Sequence, residues 1–283
     1  MTHPIVRRAG VVLLVMAAMA TCVLLGFWQW HRHTDRVAQV DLITTNLDTP
    51  TVPVAELIPP QGDLDPSDIW RSVTLRGEFI ADSGVQLRNR PVADANASHA
   101  LALFRTAEDP ARVIVVDRGW WRQTDVVDPA LLATPQGETE IVIRLRAAEA
   151  LDERTAPAGE AYRVDPATVM ATAVDGGALV GQDSVATSFY GIQTLPSPEN
   201  GLGPLPDPDT SLRSHLSYAL QWWFFAALIP VAAVIIAKRA REEREFEQGA
   251  PRPVARAGRK PTMEDEEDAI LDAQEALDVQ QSR

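Results

Sequence analysis

Cysteine is almost absent from this chain. The single cysteine, Cys22, lies inside a long uncharged apolar run. The chain can therefore form no internal disulfide bond and no thiolate metal cluster. Any folded domain must be held together by packing alone, and Cys22 is expected to be a small residue that faces lipid or packs against a helix.

An excess of basic residues is also absent. The chain has 26 Lys and Arg residues against 39 Asp and Glu residues, which gives a formal net charge of −13. A general nucleic-acid binder needs a basic surface to replace phosphate counterions, so this composition argues against that class. Much of the excess acid lies in residues 264–283 and is not a property of a folded domain.

Catalytic signatures are missing as well. The sequence contains no Walker loop, dinucleotide fingerprint, HExxH, CxxC or GxSxG element. Its Ser, His and carboxylate residues show no spacing that suggests a nucleophilic triad. Because triad residues need not be close in sequence, this weakens the case for an enzyme without excluding one. We therefore expect a protein that is not an enzyme.

The first of two long apolar runs covers residues 9–30. It carries no charge, follows Arg7 and Arg8, and ends in aromatic side chains. About 20 apolar residues span the hydrocarbon core of a bilayer, so the run predicts a transmembrane helix. The alternative is a cleaved signal peptide. Against it, the run is longer than a usual signal-peptide core and ends without a small-residue cleavage site.

The second apolar run covers residues 216–237 and contains Pro230, which a membrane helix tolerates. Aromatic residues open it, and four basic residues follow it at once: Lys238, Arg239, Arg241 and Arg244. With Arg7 and Arg8, these charges place both termini in the cytoplasm by the positive-inside rule. The region between the two runs is therefore expected outside.

The region between the runs is predicted to form mainly β-strands. Alternating or continuous apolar residues predict strands at 70–79, 85–89, 100–105, 112–121, 140–147 and 188–195. The apolar run at residues 114–116 favours a central strand. Asp165 followed by Pro166 predicts the start of a short helix that ends near Thr172.

Two connecting regions have less pattern. Residues 31–64 predict a short helical continuation followed by an irregular lead-in. Residues 196–209 are rich in Pro and Gly and predict a tether back to the membrane.

These features predict a membrane protein in which two transmembrane α-helices flank a β-rich α+β domain outside the cytoplasm. We expect a multi-pass protein of the cell membrane. The expected segments are a cytoplasmic N terminus (1–8), a first transmembrane helix (9–30), the extracytoplasmic domain (31–215), a second transmembrane helix (216–237) and a disordered cytoplasmic tail (238–283).

The chain contains three clusters of aromatic and basic residues, at 26–32, 117–121 and 213–222. Trp and Tyr at helix ends are ordinary interfacial anchors, which is one explanation of the first and third clusters. An Arg-Gly-Trp element after a buried strand is equally consistent with a turn that carries an aromatic plug.

In their order and spacing, the clusters resemble the surfeit locus protein 1 family, membrane proteins required for cytochrome c oxidase assembly. That family begins with a transmembrane segment ending in Gly-x-Trp-Gln-x-x-Arg. Gly26, Trp28 and Gln29 match this pattern, and Arg32 lies where the basic residue falls.

The later family motifs follow in the same order. An Arg-x-Val-x-x-x-Gly-x-Phe strand corresponds to residues 71–79, and Leu-Arg-Asn-Arg to residues 87–90. An Asn-Arg-Gly-Trp element corresponds to residues 117–120, with Asp117 in place of Asn. The second helix opens with His-x-x-Tyr-Ala-x-x-Trp, matched by His215, Tyr218, Ala219 and Trp222.

The resemblance covers about residues 10–240. The Ala-, Val-, Arg- and Asp-rich composition indicates an actinobacterial member. Such a member is expected to help insert haem a into the catalytic subunit of cytochrome c oxidase, with that subunit and the haem a synthesis machinery as partners. Haem a would be bound transiently, with His215 as the proposed iron ligand.

The resemblance and the positions of the helix ends give further candidate haem-binding residues: Tyr218, Trp222, Arg213, Trp28, Arg32 and His31. Trp30 and Arg36 are additional neighbours, and His33 is an alternative to His31 as a second ligand. Arg118, Gly119 and Trp120 are expected to be structural or to contact the oxidase subunit. A competing hypothesis is a membrane-anchored scaffold or receptor whose outer domain binds a protein partner, with no haem role.

Overall fold

The computed structural model describes residues 4–123, 127–151, 154, 156–173, 184–247 and 263. Its elements in chain order are α1 (Pro4–Asp48), β1 (Val52–Pro53), α2 (Val54–Leu57), a 3₁₀ turn (Pro66–Asp68), β2 (Ser72–Phe79), β3 (Val85–Leu87), β4 (Ala97–Thr106), β5 (Arg112–Arg122), α3 (Pro129–Leu132), β6 (Glu138–Ala147), β7 (Glu160–Ala161), α4 (Pro166–Thr172), β8 (Ser184–Val185), β9 (Phe189–Leu195) and α5 (His215–Glu247).

Helices α1 and α5 contain the two apolar runs. Each is long and apolar enough to cross a membrane, and the apolar stretch of each is almost wholly exposed. Apolar surface of this extent is compatible with lipid and unfavourable in water. The β-rich region lies between the two helices along the chain, which confirms the predicted fold class.

Helix α1 extends well past Trp30, to Asp48. The sequence had indicated an irregular lead-in over much of this region. The helix continues because no Gly or Pro interrupts it between Gly26 and Pro50. At about 1.5 Å per residue, its 45 residues are about 68 Å long, more than twice the hydrocarbon thickness of a bilayer.

The last turns of α1 are part of the folded domain. Ile43 is buried, and the buried side chain of Asn46 donates hydrogen bonds to the carbonyl oxygens of Ser67, at 2.6 Å, and Ile69, at 2.8 Å. These contacts place the end of α1 against the entry to β2.

Helix α5 also runs past its apolar segment, through the basic residues to Glu247. Residues 238–247 had been expected to be disordered. They contain strong helix formers and no Gly or Pro, and Lys238 lies 4.0 Å from Glu242 one turn on. The remainder of the predicted tail lies outside the described residues, apart from Met263.

The chain divides into two units, Met1–Gly26 with Leu220–Arg283, and Phe27–Ala219. In the first unit, α1 and α5 approach closely at Gly26. A Cβ atom on Gly26 would lie 2.2 Å from Nε1 of Trp223, so the indole occupies the space that a side chain would need. Close approach at small residues is the usual way in which membrane helices pack.

The second unit is built on a closed β-barrel. Strand β2 pairs with β6, β6 with β9, β9 with β5 and β5 with β4, and β4 returns to pair with β2. Strand β5 lies between β9 and β4, which confirms the prediction of a central strand. The predicted strands correspond to β2, β3, β4, β5, β6 and β9, and α4 corresponds to the predicted short helix.

Two apolar clusters explain which residues of these strands are buried. One cluster draws inward-facing residues from all five barrel strands, including Leu75, Phe104 and Phe189. The other covers the opposite face of β4 and β5, where β3 and α4 pack, and includes Leu103 and Val169. Burial on both faces makes β4 and β5 almost continuously buried.

The barrel closes at Gly77 of β2. This residue pairs with Thr139 of β6 and with Thr106 of β4, and its φ is +152°. A Cβ atom there would lie 2.0 Å from the carbonyl oxygen of Arg105. Only glycine fits where β2 changes partners.

Gly77→Ala is therefore expected to lower the free energy of unfolding by about 3 kcal/mol, because it adds a steric clash to an unfavourable φ. Gly137→Ala is the matched control. Gly137 also has a positive φ, of 90°, but nothing lies within 4 Å of a Cβ there, so a loss of about 1 kcal/mol is expected. Chemical denaturation of the full chain in detergent measures both values. Equal losses would contradict the closing role of Gly77.

Candidate functional site

The two terminal motifs, at residues 26–32 and 213–222, are in contact through Gln29 and His215. Gln29 lies on α1 and His215 is the first residue of α5, and both belong to the unit Phe27–Ala219. Their side chains are joined by a hydrogen bond of 3.0 Å between Nδ1 of His215 and Oε1 of Gln29. A residue from each family motif thus contributes to one contact.

This hydrogen bond fixes the chemical form of His215. An amide oxygen only accepts, so Nδ1 of the imidazole carries the proton and donates it. In the neutral ring Nε2 then has the lone pair. An imidazole held in this way through one nitrogen and basic at the other is the usual arrangement of a histidine that ligates a metal.

His33 and Arg36 lie on the same face of α1 as Gln29, at spacings of four and seven residues. His33 is half-buried, and among the described residues its Nδ1 is buried without a hydrogen-bond partner. Its ring centroid lies 5.9 Å from that of Trp30. Gln29, His33 and Arg36 therefore lie together on one face of α1.

Arg36 joins α1 to the residues that lead into α5. Its Nε donates to the carbonyl oxygen of Ser211 at 2.9 Å, and one Nη donates to the carbonyl oxygen of Asp209 at 2.6 Å. The other Nη donates to Oε1 of Gln39 at 2.7 Å. Only 12% of the Arg36 side chain is exposed, so these bonds form largely out of water.

The Asp209 carboxylate supports the same arrangement. It lies 3.5 Å from the Arg36 guanidinium and accepts a hydrogen bond from the backbone N–H of Ser211. Hydrogen bonds from Ser211 hold the pKa of Asp209 below its ordinary value of 3.8, and Arg36 and Arg213 lower it further. Asp209 is therefore ionised throughout the neutral range. We call Gln29, His33, Arg36, Asp209, Ser211 and His215 the juxtamembrane cluster.

Other candidates at the α1 end are placed differently. His31 is exposed, and its Nδ1 bonds the carbonyl oxygen of Phe27 at 2.7 Å within its own helix. It lies two residues from Gln29 and so on another face of α1. Trp28 is exposed, and the Arg32 guanidinium lies 5.6 Å from the centre of its ring. No hydrogen bond or ion pair joins these described residues to His215.

The candidates at the α5 end divide in a similar way. Arg213 is exposed, has a φ of 56° just before α5, and lies 3.6 Å from Asp209. Tyr218 is exposed, whereas Ala219, its neighbour in the motif, is fully buried. Trp222 belongs to the other unit, where its ring packs edge-on against Phe225 at 6.0 Å.

The Arg-Gly-Trp element holds residues 196–209, which we call the return segment. Trp120 exchanges two backbone hydrogen bonds with Gly203, at 2.9 and 2.7 Å, and its indole N–H donates to the carbonyl oxygen of Pro204. A Cβ on Gly119 would lie 2.7 Å from the Gly203 carbonyl oxygen. Arg144 adds a bond of 2.6 Å to Asp207. The predicted tether is thus fastened to the barrel.

Sequence reasoning missed a buried pair beside this element. Nδ1 of His99, on β4, lies 2.7 Å from Oδ2 of Asp117, on β5, and both residues are buried. The other oxygen of Asp117 accepts the N–H of Gly119 at 3.2 Å. The Asp in place of Asn at position 117 was the available signal, and nothing in the sequence pointed to His99.

Fold and site together define a class: a membrane protein whose chain carries a β-barrel domain between two apolar helices, and whose two terminal motifs are joined by the hydrogen bond between Gln29 and His215. Within the described residues, no three His, Cys, Asp or Glu side chains form a group that could hold a metal ion by themselves. The sequence model of the SURF1 family matches residues 16–227. The chain belongs to this family, the surfeit locus protein 1 family.

Its relatives agree with that assignment. Uncharacterized SURF1-like proteins of Mycobacterium tuberculosis and Mycobacterium bovis are 29% identical to it over 244 residues, which is 85% of this chain and 88% of theirs. A SURF1-like protein of Rickettsia bellii is 28% identical over 111 residues, or 38% of this chain and 42% of its own. The mycobacterial relatives fit the expected actinobacterial origin. The family is linked to cytochrome c oxidase assembly and is not a catalytic family.

The role of Arg36 gives a direct prediction. Arg36→Gln removes the bonds to the Asp209 and Ser211 carbonyl oxygens, so residues 205–213 are expected to exchange amide hydrogens at least about tenfold faster. Arg32→Gln, one turn earlier on α1 and bonded to neither residue, should leave exchange unchanged. Hydrogen exchange of the full chain, followed by mass spectrometry, measures both. Equal effects of the two substitutions would contradict the anchoring role of Arg36.

Proposed function

We propose that this protein assists haem a insertion into the catalytic subunit of cytochrome c oxidase and holds haem a transiently through His215. The hydrogen bond between His215 and Gln29 carries the proposal. It joins the two terminal family motifs and leaves one imidazole nitrogen basic.

The donor set fits a haem. A haem brings most of its iron's ligands with it, so the protein would need to supply only one or two more, and a neutral imidazole is a suitable one. Nε2 of His215 would be that ligand, and Gln29 would keep the ring in the required tautomer and orientation. When bound, the haem supplies an iron that accepts this nitrogen.

Cations near His215 would form ion pairs with the haem propionates. Arg213 is exposed and pairs with Asp209 only at 3.6 Å, so it is available for an anionic group. Arg32 is an exposed cation just after the first apolar run, three residues from Gln29 on α1. Arg36 is bonded to the return segment and Gln39, so we assign it to support of the site rather than to haem contact.

Among the histidines of α1, His33 is the better candidate for a second ligand. It shares a face with Gln29, and its Nδ1 is buried without a partner. His31 lies on another face and bonds within its own helix. This reverses the emphasis on His31 that the motif alone suggested.

The proposed setting is the cell membrane, with both termini in the cytoplasm and the barrel domain outside. The basic residues before the first apolar run and after the second support this orientation. The apolar macrocycle would favour the bilayer edge, where the first apolar run ends and α5 begins, and its propionates would favour the wet side. The partners would be the oxidase catalytic subunit and the haem a synthesis machinery.

The test is retention of haem a. The full-length protein is purified from cells that make haem a, and its bound haem is quantified from the absorption spectrum. His215→Ala is expected to lose the haem, since the axial ligand is gone. Gln29→Leu should reduce retention by about tenfold, since the ligand loses its orienting partner.

His31→Ala is the matched control, since this histidine lies near the same helix end but does not contact Gln29 or His215. It is expected to retain haem at the wild-type level. Unaltered haem content in His215→Ala, with normal expression, would refute the haem proposal. If His215→Ala also left oxidase assembly intact, a scaffold without a haem role would be the better account.

A further inference from the structure

A cavity of about 160 Å³ lies between the barrel and the return segment. Its walls combine apolar side chains and prolines with five polar or charged residues. The lining residues that matter here are Phe79, Arg118, Gln193, Pro196, Pro198 and Glu199. None of the residues of the juxtamembrane cluster lines it, so it is separate from the proposed haem site.

Arg118 is a buried cation whose charge is balanced by few favourable contacts. Only 4% of the residue is exposed, and one Nη donates to the carbonyl oxygen of Ala133 at 2.7 Å. Its guanidinium also lies 5.5 Å from the centre of the Phe79 ring. In the described part of the chain no carboxylate lies within ion-pair distance of it, and burial lowers its pKa. A buried charge left without a counter-charge is costly.

Comparison with Arg112 shows what is different at Arg118. Arg112 is also buried: one Nη donates to the carbonyl oxygens of Ile58 and Pro59, and its Nε and other Nη have no partner among the described residues. Arg112 does not line this cavity. Arg118 has one carbonyl partner and borders open space, so it retains donors that a ligand can reach.

Gln193 supplies an unsatisfied buried group in the same cavity. The residue is 8% exposed, and its Nε2 donates to the carbonyl oxygen of Pro196 at 2.9 Å. Among the described residues its Oε1 is buried without a partner. Within that part of the chain, Arg118 is therefore not paired with a carboxylate and Gln193 lacks a hydrogen-bond donor.

We propose that this cavity is a docking site for one Asp or Glu side chain of a partner protein. The carboxylate would accept hydrogen bonds from Arg118, and an amide N–H of the same partner segment would donate to Gln193. Small-molecule sites usually enclose about 300–1,000 Å³, so a cavity of about 160 Å³ suits one side chain better than a whole metabolite. The inference does not depend on haem binding.

Glu199 lowers the affinity of this site for an acidic side chain. It is exposed, lines the cavity and lies on the return segment, and it is not within ion-pair distance of Arg118. Its carboxylate repels an incoming acidic side chain. Removal of that charge should strengthen binding without disturbing the buried residues.

The test uses the full-length ¹⁵N-labelled chain in detergent and two probes. N-acetyl-L-glutamate α-methylamide carries one side-chain carboxylate and two amide N–H groups, and the glutamine equivalent is its uncharged isostere. The reporters are the Nε–H resonance of Arg118 and the indole N–H resonance of Trp120, which donates to Pro204. The glutamate probe is expected to shift both resonances saturably, with a Kd in the millimolar range, and the glutamine probe is not.

Three variants complete the test. Glu199→Gln should lower the Kd about threefold, because a like charge is removed. Arg118→Lys should raise the Kd at least about tenfold, followed at Trp120, because a point charge replaces the guanidinium fork. Arg76→Gln is the control, because Arg76 is exposed and paired with Glu140 away from this cavity, and its Kd should equal that of the wild type.

Equal saturable shifts from the two probes would overturn the proposal, and so would the absence of saturation with the glutamate probe. If Arg118→Lys does not fold, the comparison between Glu199→Gln and the wild type decides, because Glu199 is exposed. An unchanged Kd in Glu199→Gln would then count against the site. Each of these results is independent of whether His215 retains haem.

Discussion

One guanidinium, that of Arg36, joins the outer part of α1 to the residues that lead into α5. It donates to two backbone carbonyl oxygens and faces the ionised Asp209, in a position that is nearly closed to water. A charge in such a position is stable only when its hydrogen bonds are satisfied. The start of α5, and with it His215, is thereby held against α1, where Gln29 binds it.

The return segment makes this arrangement possible because the barrel holds it along its length. Trp120 pairs with Gly203, Arg144 bonds Asp207, and Arg36 bonds the segment's end. A chain rich in Pro and Gly has little structure of its own, so its path is set by what it is fastened to. Through the return segment, the barrel and its Arg-Gly-Trp element thus help to position the contact between Gln29 and His215.

The candidate docking cavity lies under the same segment. One of its walls is the barrel, at Arg118 and Gln193, and the other is the return segment, at Pro198 and Glu199. A partner bound there would contact the stretch of chain that runs on to Asp209 and His215. For a family linked to oxidase assembly, this gives a physical route by which partner contact and the juxtamembrane cluster could influence each other.

The sequence by itself determined the two helices, the barrel strands and the family. Long uncharged runs and alternating apolar residues are local patterns, and each has few structural solutions. The sequence also pointed to Gln29, His215 and Arg118, because each belongs to a motif. It underestimated the lengths of α1 and α5, because Pro and Gly elsewhere in residues 31–64 obscured the uninterrupted stretch before Pro50.

Only the tertiary structure decided how these residues work. The pairing of β2 with β4 closes the barrel, and the contacts of Arg36 and Gln29 span long stretches of sequence that no local pattern encodes. It also distinguished His33, which shares a face of α1 with Gln29, from His31, which does not. The face of a helix that meets a partner depends on where that partner packs. The lack of a paired carboxylate at Arg118 among the described residues is likewise a property of packing, since it depends on which side chains the fold brings near a buried cation.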